Sequence, residues 1–229
     1  GTLSEVWTDS AESEEELEVY NDYNEFVDWV VQADLENSQN WEYVEQKLDL
    51  ENFALYMAIE YYIGNIDWPQ NNVKVYAYQP AEGEEYREGT VFDGRYRYLL
   101  FDTDYGLGLR VVEAYGYEPN HERLAELCEE EESAALFAAL MKKDEFRTLF
   151  IQSVMHVMNT GFQQENVEKE LYSMAGSYYY ELEHMIGRSL DSAYITGNFG
   201  PSVYQTVIKS TVWSGEHKIT QVDIKNQLS

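Results

Sequence analysis

Asp49-Leu50-Glu51-Asn52-Phe53-Ala54-Leu55-Tyr56-Met57-Ala58-Ile59-Glu60-Tyr61-Tyr62-Ile63-Gly64-Asn65-Ile66-Asp67-Trp68-Pro69-Gln70-Asn71-Asn72 reads as a helix that runs into a loop rich in acids and amides. Asp49 fits an N-cap, because its carboxylate can accept an unpaired amide of the first turn, where Asn52 follows. Phe53, Leu55, Tyr56, Ile59, Tyr62 and Ile63 supply an apolar helical pattern. Gly64 ends the helix, since glycine adopts the left-handed conformation freely, and Pro69 prevents the helix from resuming. Asp67, Asn71 and Asn72 are then presented at the end of an apolar element.

Downstream, Val73-Lys74-Val75-Tyr76-Ala77-Tyr78 alternates and is rich in β-branched and aromatic residues, so it predicts a strand. Gln79–Gly94 is acidic and glycine-containing, as an exposed loop would be. Arg95–Phe101 predicts the returning strand of a hairpin, and it leads into Asp102-Thr103-Asp104-Tyr105-Gly106. Residues i and i+2 of a strand face the same side, so Asp102 and Asp104 are expected to reach one cation. Two ionised carboxylates held that close repel each other and are best tolerated with a cation between them. Carboxylate and amide oxygens are hard ligands of the kind Mg²⁺ takes while it also holds phosphates. If the two clusters meet in space, they form a phosphoryl-transfer site.

These motifs carry a resemblance. Asp49–Asn72, then Tyr96-Arg97-Tyr98-Leu99-Leu100-Phe101-Asp102-Thr103-Asp104-Tyr105-Gly106, resembles the CotH kinase family of spore-coat protein kinases and their relatives. The likeness continues through Asp144-Glu145-Phe146-Arg147-Thr148-Leu149-Phe150 and Met158-Asn159-Thr160-Gly161-Phe162, so it runs from roughly Glu18 to Arg188. The resemblance implies an atypical kinase that transfers the γ-phosphoryl of ATP to Ser of a protein, with Mg²⁺ or Mn²⁺. It implies Asp67 as the catalytic acid that orients the substrate hydroxyl. Asn71, Asn72 and Asp102 would bind the cofactor, and Asn72, Asp102 and Asp104 the metal, with Asn72 preferred over Asn71. The expected fold is α+β and predominantly α-helical, like an atypical kinase C-lobe, with one β-hairpin carrying the metal-binding Asp at its end.

One expected part is missing. A kinase holds the α and β phosphates with a Lys, usually paired to a Glu, beneath a glycine-rich or equivalent cover. In the resembled family these belong to an N-terminal lobe with an Arg-Gly-containing motif, and none precedes Asp67 here. The first lysine, Lys47, stands in a helix beside the catalytic segment. The expected organisation is therefore a flexible acidic segment over residues 1–17, then a single C-terminal lobe over 18–229, with the N-lobe and any targeting segment lying outside this chain.

The formal net charge is −28, from 15 basic and 43 acidic side chains. Nucleic-acid binding by charge neutralisation needs a basic surface and is excluded as the main activity. The excess suits a soluble surface or a basic, Ser-rich protein substrate. No apolar run is long enough to span a bilayer. By family resemblance, a spore coat, cell surface or secreted location is favoured over the cytoplasm.

Further helices are expected over Tyr23–Val31, Trp41–Leu48, Ser133–Met141, Lys143–Asn159 and Glu165–Arg188, followed by loop over 190–215 with short strands near Val203–Val207. His121, His156, His184 and His217 show no zinc spacing, and His156 reads as a core or near-core residue. Cys128 reads as a small buried hydrophobe. Twenty Tyr and five Trp read mainly as packing, with a sugar- or peptide-stacking surface as the sharper alternative. Two other function classes stay open: a metal-dependent glycosyltransferase using Asp102-Thr103-Asp104, and a non-catalytic kinase-like binding module.

Overall fold

The Asp49 carboxylate accepts the Asn52 amide at 3.1 Å, and the helix it caps is mostly buried. In the computed structural model, residues 2–6, 14–107, 123–129 and 132–174 are described. They form β1 (Thr2–Val6), α1 (Glu14–Gln32), α2 (Ser38–Lys47), α3 (Leu50–Ile63), β2 (Lys74–Gln79) and β3 (Arg97–Leu99). After these come α4 (Leu124–Glu129), a 3₁₀ turn at Glu132–Ala134, α5 (Ala135–Leu140) and α6 (Asp144–Asn159). Residues 164–174 are also helical. The remainder of the long helix expected over Glu165–Arg188, with Tyr178–Tyr180, and the strands expected near Val203–Val207 lie outside the described residues.

The chain divides into two compact units, where the sequence predicts one lobe over 18–229. The first comprises Gly1–Gly108 with Tyr117–Val157, and the second Leu109–Gly116 with Met158–Ser229. Within the first unit α3 is surrounded. Phe53, Ala54, Tyr56, Met57, Ala58, Glu60 and Ile63 are buried, so most of its circumference is core. The expected apolar face is displaced accordingly: Leu55 and Tyr62 are more than a third exposed, while Met57 and Glu60 lie inside. Helix α3 is clad on several sides, so a single-stripe pattern misassigns those positions.

Aromatic rings form much of this core. Phe53 packs on Tyr98 at 4.6 Å and on Phe146 at 5.8 Å, and Phe137 packs on Phe150 at 5.0 Å. Tyr23 and Phe26 of α1 close on Tyr96 at 5.2 and 5.7 Å. The packing reading of the aromatics therefore holds for these residues. His156 corrects another expectation, since it is exposed on α6 and not part of the core. Cys128 is half-buried.

The predicted hairpin forms, antiparallel, with Val75 opposite Tyr98 and Tyr76 opposite Arg97. It differs from expectation in two ways. Strand β3 is only Arg97–Leu99 and stops short of Phe101. A third strand, β1, pairs antiparallel with β2 from Thr2↔Gln79 to Val6↔Val75, giving the order β1-β2-β3. Part of the segment expected to be a flexible acidic terminus is thus an edge strand, and α1 already begins at Glu14. Backbone pairing with β2 does not need an apolar pattern in β1, and composition alone does not reveal it.

Two devices dock the sheet onto α3. The Asn52 side chain imitates a strand partner, with Oδ1 accepting the Tyr98 amide at 2.6 Å and Nδ2 donating to the Tyr98 carbonyl at 3.2 Å. Arg97, only 4% exposed, donates to both oxygens of Asp93 at 2.9 Å and pairs through Nε with Asp49 at 2.8 Å. Burial opposes the charge on Asp93, but the hydrogen bonds from Arg97 and Arg95 prevail and hold its carboxyl at about 2. The acid that caps α3 is thereby tied to the strand that leads to Asp102. No helix among the described residues is long and apolar enough to cross a membrane.

Candidate functional site

The site begins where α3 ends. Gly64 takes φ 60° and ψ 44°, and its amide donates back to the Glu60 and Tyr61 carbonyls, closing the helix in the left-handed conformation that glycine tolerates best. The chain then turns sharply and buries Asn65 completely. Asn65 Nδ2 donates to Glu60 Oε2 at 3.0 Å, while its Oδ1 accepts the Asp67 amide at 3.2 Å. Arg123, just before α4, donates Nη1 to the Asn65 carbonyl at 2.9 Å and more weakly to the Trp68 carbonyl at 3.4 Å. These contacts satisfy loop carbonyls and amides that burial would otherwise leave unpaired.

The Asp67 carboxylate is held by both asparagines. Asn71 Nδ2 donates to Oδ1 at 3.1 Å and Asn72 Nδ2 donates to Oδ2 at 2.9 Å. Asn72 Nδ2 also reaches the Asp102 carbonyl at 3.4 Å, so one amide spans the two motifs. Backbone contacts join the same motifs, since the Ile66 amide donates to the Tyr105 carbonyl at 3.3 Å. A Cβ at Gly106 would lie 3.1 Å from the Thr103 carbonyl oxygen and 3.2 Å from Ile63 Cγ1, a tight fit in which these neighbours would have to give by a few tenths of an ångström.

Asn72 and Asp102 both take positive φ, at 59° and 53°. Asn and Asp enter this region more readily than other L residues, but it still costs on the order of 1 kcal/mol each and marks a constrained backbone. The expected strand geometry of the second motif is therefore corrected. Asp102 and Asp104 lie beyond β3, outside any strand, so the i, i+2 argument for a shared face does not apply. Both are exposed. Among the described residues no hydrogen bond ties Asp104 to the Asp67–Asn72 group. Nor does any cluster of three or more His, Cys, Asp or Glu side chains there suit a metal. The oxygens that Asn72 brings together at this point are the half-buried Asp67 carboxylate and the Asp102 backbone carbonyl, with the Asp102 carboxylate exposed nearby in sequence. That set suits Mg²⁺, which uses one or two carboxylates and completes its shell with water and substrate phosphate.

A cleft of about 450 Å³ runs beside the loop, lined by Met57, Trp68, Pro69, Asn71, Asn72 and Tyr98 among others. Sequence reasoning singled out the Asp67–Asn72 and Asp102–Asp104 segments but not Glu60, Asn65 and Arg123, which surround the Asp67 loop. A signal for Glu60 was present: it is the only carboxylate in the apolar run Phe53–Ile63. Arg123 stands far along the chain from the loop it supports, and no local pattern announces it.

A family model described as CotH kinase protein matches residues 4–209, extending past both ends of the stretch that the motifs indicated. No curated protein and no solved structure is matched significantly.

Proposed function

The chain belongs to the CotH kinase family, and from that premise we propose that it is the catalytic portion of a protein serine kinase that uses ATP with Mg²⁺ or Mn²⁺. The observation that carries this reading is the Asp67 carboxylate gripped by Asn71 and Asn72, with Asn72 also reaching the second motif at Asp102. A general acid–base group must be positioned before its acidity matters, and two side-chain amides aim this one.

In the proposed reaction Asp67 orients a serine hydroxyl and takes its proton. The hydroxyl oxygen forms a bond to the γ-phosphorus as the bond to the bridging β–γ oxygen breaks, and ADP leaves with that electron pair. Asn72 and Asp102 would hold the divalent cation, with Asp104 as a supporting ligand. When bound, the cation would offset charge developing on the phosphate oxygens. The cleft beside Asn71 and Asn72 offers room for a ligand. The acidic surface favours a basic, Ser-rich substrate segment.

The test is phosphoryl addition followed by intact mass, on the full-length native protein with ATP and Mg²⁺ or Mn²⁺, beside an Asp67→Ala control. Addition in the wild type and none in the control supports the reading. Equal addition in both overturns the role of Asp67. No addition in either, with no cation bound, favours a kinase-like binding module.

A further inference from the structure

Glu60 is fully buried in the last turn of α3, and its neighbours along the helix are apolar or aromatic. Its Oε2 accepts from Asn65 Nδ2, while Oε1 has no hydrogen-bond partner among the described residues. Leaving a carboxyl oxygen unpaired in the interior costs stability, and a hydrocarbon side chain of similar size would fill the space without that cost. Burial pushes the Glu60 carboxyl up to about 7, with the Asn65 hydrogen bond opposing the rise. A polar group held at such a cost is explained by what its single partner does.

That partner leads directly to the site. Asn65 is itself fully buried and uses its two polar ends on different tasks, one toward Glu60 and one toward the Asp67 amide. Its own amide also points back to the Glu60 carbonyl at 3.4 Å. An asparagine amide rotated by half a turn would present its NH₂ to the Asp67 N–H, donor against donor. The Glu60 carboxyl selects the correct orientation because it accepts from the NH₂ end.

We propose that Glu60 is the positioning residue of this site: it sets the orientation of the Asn65 amide, which fixes the Asp67 backbone and so aims the Asp67 carboxylate. Glu60 touches neither substrate nor cofactor. The inference rests on the reading of Asp67 as the catalytic acid, but the link from Glu60 to Asp67 is testable without activity.

The experiment compares wild type with Glu60→Ala and Glu60→Gln. Glutamine keeps an oxygen to accept from Asn65 and removes the acid. In the isotopically labelled chain, the Asp67 amide should exchange with solvent about tenfold faster in Glu60→Ala and at the wild-type rate in Glu60→Gln. Amides of Phe146–Phe150 in α6 should be unchanged in both, which a general loosening of the core would not allow. In the transfer assay, Glu60→Ala should lower kcat about 10–100-fold with KM for ATP unchanged, and Glu60→Gln should restore it. Should Glu60→Ala fail to fold, Asn65→Asp tests the same link, since it keeps the acceptor for Asp67 and puts a second oxygen against Glu60. Its Asp67 amide should then exchange faster than that of wild type at the same alkaline pH. An Asp67 amide indifferent to Glu60→Ala or Asn65→Asp, or disturbed equally by Glu60→Ala and Glu60→Gln, overturns the proposal. Protected exchange in a protein that transfers no phosphoryl would leave the link standing and discard the kinase reading instead.

Discussion

The two halves of the site are built in opposite ways. The Asp67 half is over-determined: its carboxylate takes two side-chain amides, its backbone takes Asn65, and Arg123 holds the carbonyls on either side. The Asp102 half is held mainly through its backbone, by the Ile66–Tyr105 contact and the close approach at Gly106, while its carboxylates stay exposed. A group that must aim at one substrate atom gains from fixed hydrogen bonds before the reaction. A group that must admit a hydrated cation needs free oxygens and room for water.

The comparison is most easily broken at Asp67. Replacement by Ala should reduce phosphoryl transfer about 10²–10⁴-fold, lower stability by about 1–2 kcal/mol through loss of the two asparagine hydrogen bonds, and leave unshifted the Mg²⁺ concentration needed for half-maximal residual rate. A rate close to wild type would remove the functional meaning of the whole first half. The contrasting experiment is Asp102→Ala. It should raise the Mg²⁺ concentration required by about 10–100-fold, as loss of a ligand does, and leave folding intact. If the two substitutions give the same cation dependence, the division of labour is wrong.

The buried support under the first half has a pH signature. Glu60 has a folded value near 7 against 4.5 when unfolded, so the native state retains its proton through that interval. Unfolding there releases the proton, and stability falls as pH rises from about 4.5 through about 7, by roughly 3 kcal/mol in all. Denaturant unfolding of wild type and Glu60→Gln across this interval should show the slope in the former and a flatter curve in the latter. Parallel curves would mean that Glu60 is not the source.

Smaller effects sharpen the second half. Gly106→Ala places a Cβ against the Thr103 carbonyl and Ile63, and should cost about 1–3 kcal/mol, read as a lower denaturation midpoint. The smallest effect is expected at Asn71, the exposed member of the pair. Asn71→Ala should lower transfer by less than Asn72→Ala, with stability changed by about 0.5–1 kcal/mol. The reverse order would move the bridging role from Asn72 to Asn71.

Much of this was legible locally. Asp49, Gly64 and Pro69 bound a helix and its exit because capping, left-handed closure and the missing proline amide are properties of single residues. The hairpin was legible because β2 alternates. The edge strand β1 was not, since Thr2–Val6 sits in an acidic stretch and acquires its structure from a partner about 70 residues away. The shared face imagined for Asp102 and Asp104 failed because β3 ends at Leu99 and Asp102 turns into the left-handed region, which strand periodicity does not anticipate.

By itself, then, the sequence nominated the candidate residues: Asp67, Asn71, Asn72 and Asp102 follow apolar elements, and their oxygens suit hard cations. It also determined where the central helix starts and stops, because those signals are short-range. Only the tertiary structure decided that Asn72 spans both motifs, that Arg123 secures the loop, and that Glu60 lies inside. Each of these is a contact between residues that only folding brings together or a burial that only surrounding elements impose, and neither is encoded in the spacing of nearby residues.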